Sequence, residues 1–292
     1  MILVVCCAAN PCAAANSAGP SQPVSDEALR LIALRTIFPG AQVTINPGKG
    51  TKYARPEKPK AGELFFPNAF VDEKVYSVTG GATNEAEMEA SQDVVSQRYS
   101  KTRRVKIRLF RWPGENGAGL LAALQYDFPG ANPAMCCLSI GRLVHLVRDA
   151  EKWEVGNQYL LETAHHSSLQ RCELLDLTGD GLDELVVESD WGGAGTASSS
   201  LQVFDLRHGS FEEVLNTQSR LEYMDQDVFT QVLDIGRTRQ SNDRQVCVSK
   251  TTMFEGGKPF EPPRTTYPCY SRGDGVNPQE VKARNELLAP LR

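Results

Sequence analysis

Asp176-Leu177-Thr178-Gly179-Asp180-Gly181-Leu182-Asp183-Glu184, running straight into Leu185-Val186-Val187, sets an acidic turn against an apolar, β-branched strand. Oxygen-bearing side chains stand at the first, third, fifth and ninth positions, as Asp176, Thr178, Asp180 and Glu184. Gly181 follows the third of them, where the backbone must turn sharply for those side chains to converge. Ca²⁺ takes about six to eight oxygens at about 2.3–2.6 Å, and a tight loop of alternating donors supplies them. Leu182 would add a backbone carbonyl, and the Glu184 carboxylate would close the site. The turn is not an EF-hand: its twelfth position is Val187, where that motif needs a bidentate Glu, and strands rather than helices frame it.

Strand signals continue on both sides. Val105-Lys106-Ile107-Arg108-Leu109-Phe110-Arg111-Trp112 alternates apolar with basic over most of its length, the pattern of a half-exposed strand. Segments 120–126, 142–147, 153–161, 184–188, 201–206 and 229–235 extend the series. Pro113-Gly114, Pro129-Gly130, Gly192-Gly193, His208-Gly209 and Gly256-Gly257 separate them with turn chemistry. A weak internal repeat runs through this region. Tyr126-Asp127-Phe128-Pro129-Gly130-Ala131 is echoed by Ser189-Asp190-Trp191-Gly192-Gly193-Ala194, Trp153-Glu154-Val155 by Phe211-Glu212-Glu213-Val214, and Leu174-Leu175-Asp176-Leu177 by Val232-Leu233-Asp234-Ile235. Echoes at similar offsets suggest repeated four-stranded sheets, too few for a closed ring. The expected fold is mainly β, with antiparallel sheets resembling a partial β-propeller and a short N-terminal helix.

That helix is the clearest one in the chain. Ser25 is placed to cap it, Asp26-Glu27 suit its positive end, and Leu29, Ile32, Ala33, Thr36 and Ile37 fall on one face before Pro39-Gly40 stops it. Residues 46–70 read as an extended loop with one short strand at Leu64-Phe65-Phe66, and residues 80–101 as a helix or a loop. Lys101-Thr102-Arg103-Arg104 reads as a solvated strand edge that discourages pairing. The expected division is a signal peptide at 1–18, a helix with an irregular region at 19–103, a β-rich repeat-like domain at 104–278, and a tail at 279–292.

The 292 residues suffice for a substantial core, and 41% hydrophobic with 23% charged residues is the balance of a globular protein. A net charge of −5 without a basic stripe argues against nucleic acid as a partner. No run of about eighteen apolar residues exists, so no transmembrane segment is expected. Met1–Cys7 is apolar and small residues follow through Ala13-Ala14-Ala15 and Asn16-Ser17-Ala18, the character of a secretory leader, although no Lys or Arg precedes the apolar run. The expected location is therefore secreted or periplasmic. Beyond the leader stand Cys136, Cys137, Cys172, Cys247 and Cys269. Cys247 and Cys269 flank what reads as a long hairpin and form the first candidate disulfide; Cys172 with Cys136 or Cys137 is the second. Buried free thiols are the alternative.

From Cys172 to Leu215 the chain resembles the FG-GAP or VCBS-type repeat of integrin-like β-propellers. The resemblance rests on the Asp-x-x-Gly-Asp-Gly turn, the strand after it, the Gly192-Gly193-Ala194-Gly195 loop, the strand Leu201-Gln202-Val203-Phe204 and the Gly209-Ser210-Phe211 hairpin. It implies a calcium loop that stiffens a blade, with Asp176, Asp180 and Glu184 as ligands and Leu182 through its carbonyl, in an extracellular adhesion or binding module. Thr178 departs from the family's Asn or Asp. The corresponding turn after Asp234 carries Gly236 and Arg237 and should bind no metal.

Two functional classes follow. The first is an exported, non-catalytic β-sheet binding or structural protein whose Ca²⁺ is structural, with a protein or glycan partner at the cell envelope. The second is a metal-dependent hydrolase using His165 or His166 with the Asp176–Asp180 loop. Adjacent residues on a strand point to opposite faces, which works against His165 and His166 sharing one ion. No Gly-x-Ser-x-Gly elbow surrounds Ser167 or Ser168, and Gly48-Lys49-Gly50 is too short for a phosphate loop. Arg272-Gly273-Asp274 reads as a C-terminal turn. A third reading is a metal-free domain, because a turn rich in Asp, Thr and Gly can satisfy its own backbone.

Overall fold

Ser25 opens the first helix, α1 (Asp26–Ile37), by accepting a hydrogen bond from the Ala28 N–H at 3.3 Å. The helix ends where Phe38 N–H reaches the Leu34 carbonyl, and Gly40, at φ 79°, reverses the chain into β1 (Gln42–Ile45). The computed structural model describes residues 25–45, 74–91, 102–112, 119–128, 138–149, 152–165, 168–178, 181–193, 196–223, 226–234, 246–247, 249–255, 258–266, 269–270, 286 and 288. The expected strand at 64–66 lies outside them.

After β1 come β2 (Val75–Thr79), α2 (Glu85–Ser91), β3 (Thr102–Trp112), β4 (Gly119–Asp127), β5 (Leu138–Asp149) and β6 (Lys152–His165). These six strands form one antiparallel sheet in chain order. The chain continues through β7 (Ser168–Leu175), β8 (Glu184–Gly193), β9 (Thr196–Asp205), β10 (Glu212–Tyr223), β11 (Gln226–Asp234), β12 (Val246–Cys247), β13 (Ser249–Glu255), β14 (Lys258–Thr266) and β15 (Cys269–Tyr270). The second sheet has seven strands in the order β14-β13-β11-β10-β9-β8-β7, and β12 pairs with β15. Pro259, Pro262 and Pro263 are tolerated in β14 because it is an edge strand, where missing N–H donors break no second ladder. No described helix is long and apolar enough to cross a membrane.

The nearly unbroken apolar run of β4 follows from burial on both faces. Leu120, Ala122, Leu124 and Tyr126 meet Ala33, Leu34, Ile37 and Phe38 in one core, whereas Leu121 and Ala123 meet Leu185, Val187 and Phe204 of the second sheet. The molecule is thus layered as helices, six-stranded sheet, seven-stranded sheet. Between the sheets the buried Tyr159 hydroxyl donates to Glu213, Tyr159 packs edge-on to Phe204 at 4.8 Å, and Asn157 Nδ2 donates to the Gly209 carbonyl at 2.6 Å. A third cluster, including Val186, Leu201, Val203 and Val214, includes Leu177 of the acidic turn.

The protein is mainly β in antiparallel sheets with a short N-terminal helix, and the described residues close neither a barrel nor a propeller. The three sequence echoes match β4 with β8, β6 with β10, and β7 with β11, each four strands apart. The division between the sheets nevertheless falls between β6 and β7, so the echoed units do not coincide with the sheets. The 19–103 region supplies β1, β2 and α2 to the same sheet and core as β3–β6.

Arg103 needs correction. Read as part of a solvated edge, it lies on an interior strand and is 1% exposed. Its Nη2 donates to Glu87 Oε2 at 2.5 Å and to the Ala82 carbonyl at 2.9 Å, and its Nη1 to the Gly80 carbonyl at 2.7 Å. Tyr126 donates to the other Glu87 oxygen at 3.0 Å, and the Arg103 guanidinium lies 5.0 Å over the Phe38 ring. Arg104 is also paired on both sides, with Ser77 and Asp127, so the cluster is no sheet edge; its side chain alone is partly exposed, in a fork on Asp127.

Candidate metal loop

Residues 176–183 connect β7 to β8, and the ladder closes on the Leu175–Glu184 pair. The side chain at position 184 consequently points back along the loop it ends. Glu184 is 2% exposed; one carboxylate oxygen accepts the Leu177 N–H at 2.8 Å and the other the Thr178 hydroxyl at 3.3 Å. From the opposite end Asp176 Oδ2 accepts the Gly181 N–H at 3.0 Å, and Gly181 has the positive φ, 82°, that the reversal requires. Leu177 is buried beneath the turn, whereas Leu182 is 50% exposed.

The loop therefore directs Asp176 and Glu184 onto its own donors. Asp180 and Gly179 lie outside the described residues, so the expected five-member ligand set is described at Asp176, Thr178, Leu182 and Glu184 only. Among the described residues no group of three or more His, Cys, Asp or Glu is gathered as metal ligands. In donor chemistry the set fits a hard cation: two carboxylates, a hydroxyl and a carbonyl are oxygen donors suited to Ca²⁺, with no thiolate or imidazole among them.

The two histidines named as alternative ligands fall outside the described side chains. His165 ends β6 and its side chain, like all of His166, lies outside the described residues. His145 is a core residue: it stacks on Trp112 with centroids 4.4 Å apart, and burial holds its pKa below the ordinary value against an opposing backbone hydrogen bond at Gly209. The surrounding space is reserved for the ring, since a Cβ at Gly119 would stand 2.9 Å from its Nε2.

Cys172 is a free, fully buried thiol in the inter-sheet core, and burial pushes its pKa up to about 12. The alternative of a buried free thiol describes it; Cys136 and Cys137 lie outside the described residues. No disulfide occurs among the described residues, but Cys247 and Cys269 are direct partners in the β12–β15 ladder, as the hairpin reading placed them.

Sequence reasoning missed the buried charges Glu87, Arg103 and Arg142. A faint signal existed: Arg103 and Arg142 each stand two residues from an apolar strand position that faces the helices. No known family model, curated protein or solved structure matches this chain.

Proposed function

We propose that this is an exported, non-catalytic β-sheet protein, acting in binding or as a structural module at the cell envelope, with one calcium-stabilised turn of the FG-GAP/VCBS type. The observation that carries the proposal is the buried Glu184 carboxylate, held on the loop it closes, with the exposed Asp176 carboxylate accepting from Gly181 at the other end of the same turn. Asp176, Asp180, Glu184, Thr178 and the Leu182 carbonyl would hold the ion. When bound, Ca²⁺ supplies charge neutralisation and rigidity. In this reading β7–β10 form a blade-like meander, the Cys247–Cys269 pair is oxidised after export, and the partner is a protein or glycan.

Calorimetry and thermal unfolding with Ca²⁺ test the proposal. Saturable binding and a raised Tm, both abolished by Asp180→Ala, are expected; tight Zn²⁺ binding that depends on His165 or His166 would favour the hydrolase instead. A metal-free turn is the second reading, favoured by the hydrogen bonds that Glu184 already accepts. A flat Ca²⁺ titration selects it.

A further inference from the structure

The apolar stripe of α1 is wider than the core that covers it. Ala33, Leu34, Ile37 and Phe38 are buried, but Leu29 and Ile32 are only partly covered and form one wall of an open groove. Trp153 and Val155 of β6 form the facing wall, and the groove has a volume of about 1030 Å³. That is the size of a small-molecule site, about 300–1,000 Å³.

Its charges are unbalanced. Among the described residues, Arg35, Arg142, Arg148 and Lys152 line it against one carboxylate, Glu154, which already bonds Lys152 Nζ at 2.9 Å. The Arg148 guanidinium lies 5.9 Å over the Trp153 ring. Arg142 is different because it is 5% exposed. Its Nη2 donates to the neutral Gln158 Oε1, and its Nε is buried without a hydrogen-bond partner. A guanidinium stays protonated in a protein, so this buried charge cannot neutralise itself. Glu87, the carboxylate of the adjoining core, is engaged by Arg103 and Tyr126. Nε and Nη2 form the edge of a guanidinium that a carboxylate bridges with two oxygens. Gln158 offers one oxygen and fills half of that edge.

We propose that this groove binds a small amphiphilic carboxylate. Its carboxylate replaces Gln158 on Nη2 and bridges to Nε of Arg142, and its unbranched apolar chain lies along Leu29, Ile32 and Val155. A carboxylate suits the single buried guanidinium, and the apolar walls on both sides suit a hydrocarbon chain. The site is separate from the acidic loop and does not depend on calcium.

Calorimetry on the full chain with decanoate, and with decanol and acetate as its two halves, tests the proposal. Decanoate should bind saturably at one per chain, with decanol and acetate at least about tenfold weaker. Arg142→Met should weaken decanoate by about tenfold or more without lowering Tm, since it removes a buried charge that lacks a counterion among the described residues. Ile32→Glu, which leaves Arg142 intact, should weaken it comparably. The proposal is overturned by absence of saturable decanoate binding up to about 1 mM, by decanol binding as tightly as decanoate, or by wild-type affinity in either variant. Capture of a hydrophobic peptide's free C-terminus in place of decanoate would also overturn it.

Discussion

Arg103 and Arg142 lie on the same helix-covered side of the six-stranded sheet, and both are almost wholly buried, yet their surroundings differ in kind. Arg103 has a carboxylate, two backbone carbonyls and an aromatic face; Arg142 has one neutral amide oxygen. Each leaves its Nε without a partner, so the difference is one of charge rather than of hydrogen-bond count. A buried ion pair is costly to break because the surviving partner stays desolvated, whereas a buried cation without a counterion has no such partner to strand. The first arrangement is that of a structural joint between α2 and the sheet. The second is that of a site awaiting an anion.

The largest expected effect lies at the joint. Glu87→Ala strands Arg103 and should lower stability by about 3–5 kcal/mol in urea unfolding. A loss below about 1 kcal/mol would erase the distinction between the two arginines. Replacing the pair together, as Glu87→Leu with Arg103→Met, should recover part of the loss.

An intermediate effect is expected at the acidic turn, where the buried charge is held by neutral donors. Glu184→Ala leaves the Leu177 N–H and the Thr178 hydroxyl without their acceptor and should cost about 1–3 kcal/mol in metal-free buffer. An unchanged urea midpoint would mean that water replaces the carboxylate freely, and that the turn's order comes from elsewhere. The smallest effect belongs to the residue next to Arg103. Arg104→Ala removes a partly exposed fork on Asp127 and should cost about 0–1 kcal/mol. A larger loss would show that position along β3, rather than burial, sets the worth of these ion pairs.

Most strands were legible because alternation and turn residues are local signals. The segments 105–112, 120–126, 142–147, 153–161, 184–188, 201–206 and 229–235 fall on observed strands, except that Leu206 lies one residue past β9 and β11 is described as far as Asp234. β7 and β10 were harder to read, since Ser168–Leu175 and Glu212–Tyr223 mix charged and polar residues through their length. Helix α1 was legible at both ends from Ser25 and Pro39-Gly40, but its face was placed partly wrong. Thr36 and Ile32 shared the predicted apolar stripe, whereas the core takes Leu34 and Phe38, because the angle at which a helix meets a sheet is not encoded in its own periodicity.

The acidic turn was legible as a turn, since Asp, Thr and Gly in that spacing constrain one another across a few bonds. The inward course of Glu184 follows from strand pairing at Leu175–Glu184, whereas Asp176 stays exposed at the turn's other end. By itself, the amino-acid sequence determined the strands and turns, the cap of α1, and a hairpin that sets Cys247 opposite Cys269. Only the tertiary structure decided that the strands divide into two stacked sheets, that Arg103 is sealed against Glu87, and that Arg142 is sealed with no counterion among the described residues. The physical reason is distance along the chain: propensity and turn chemistry act between neighbours, whereas desolvation of a charge depends on residues brought together from α1, α2 and β3–β6.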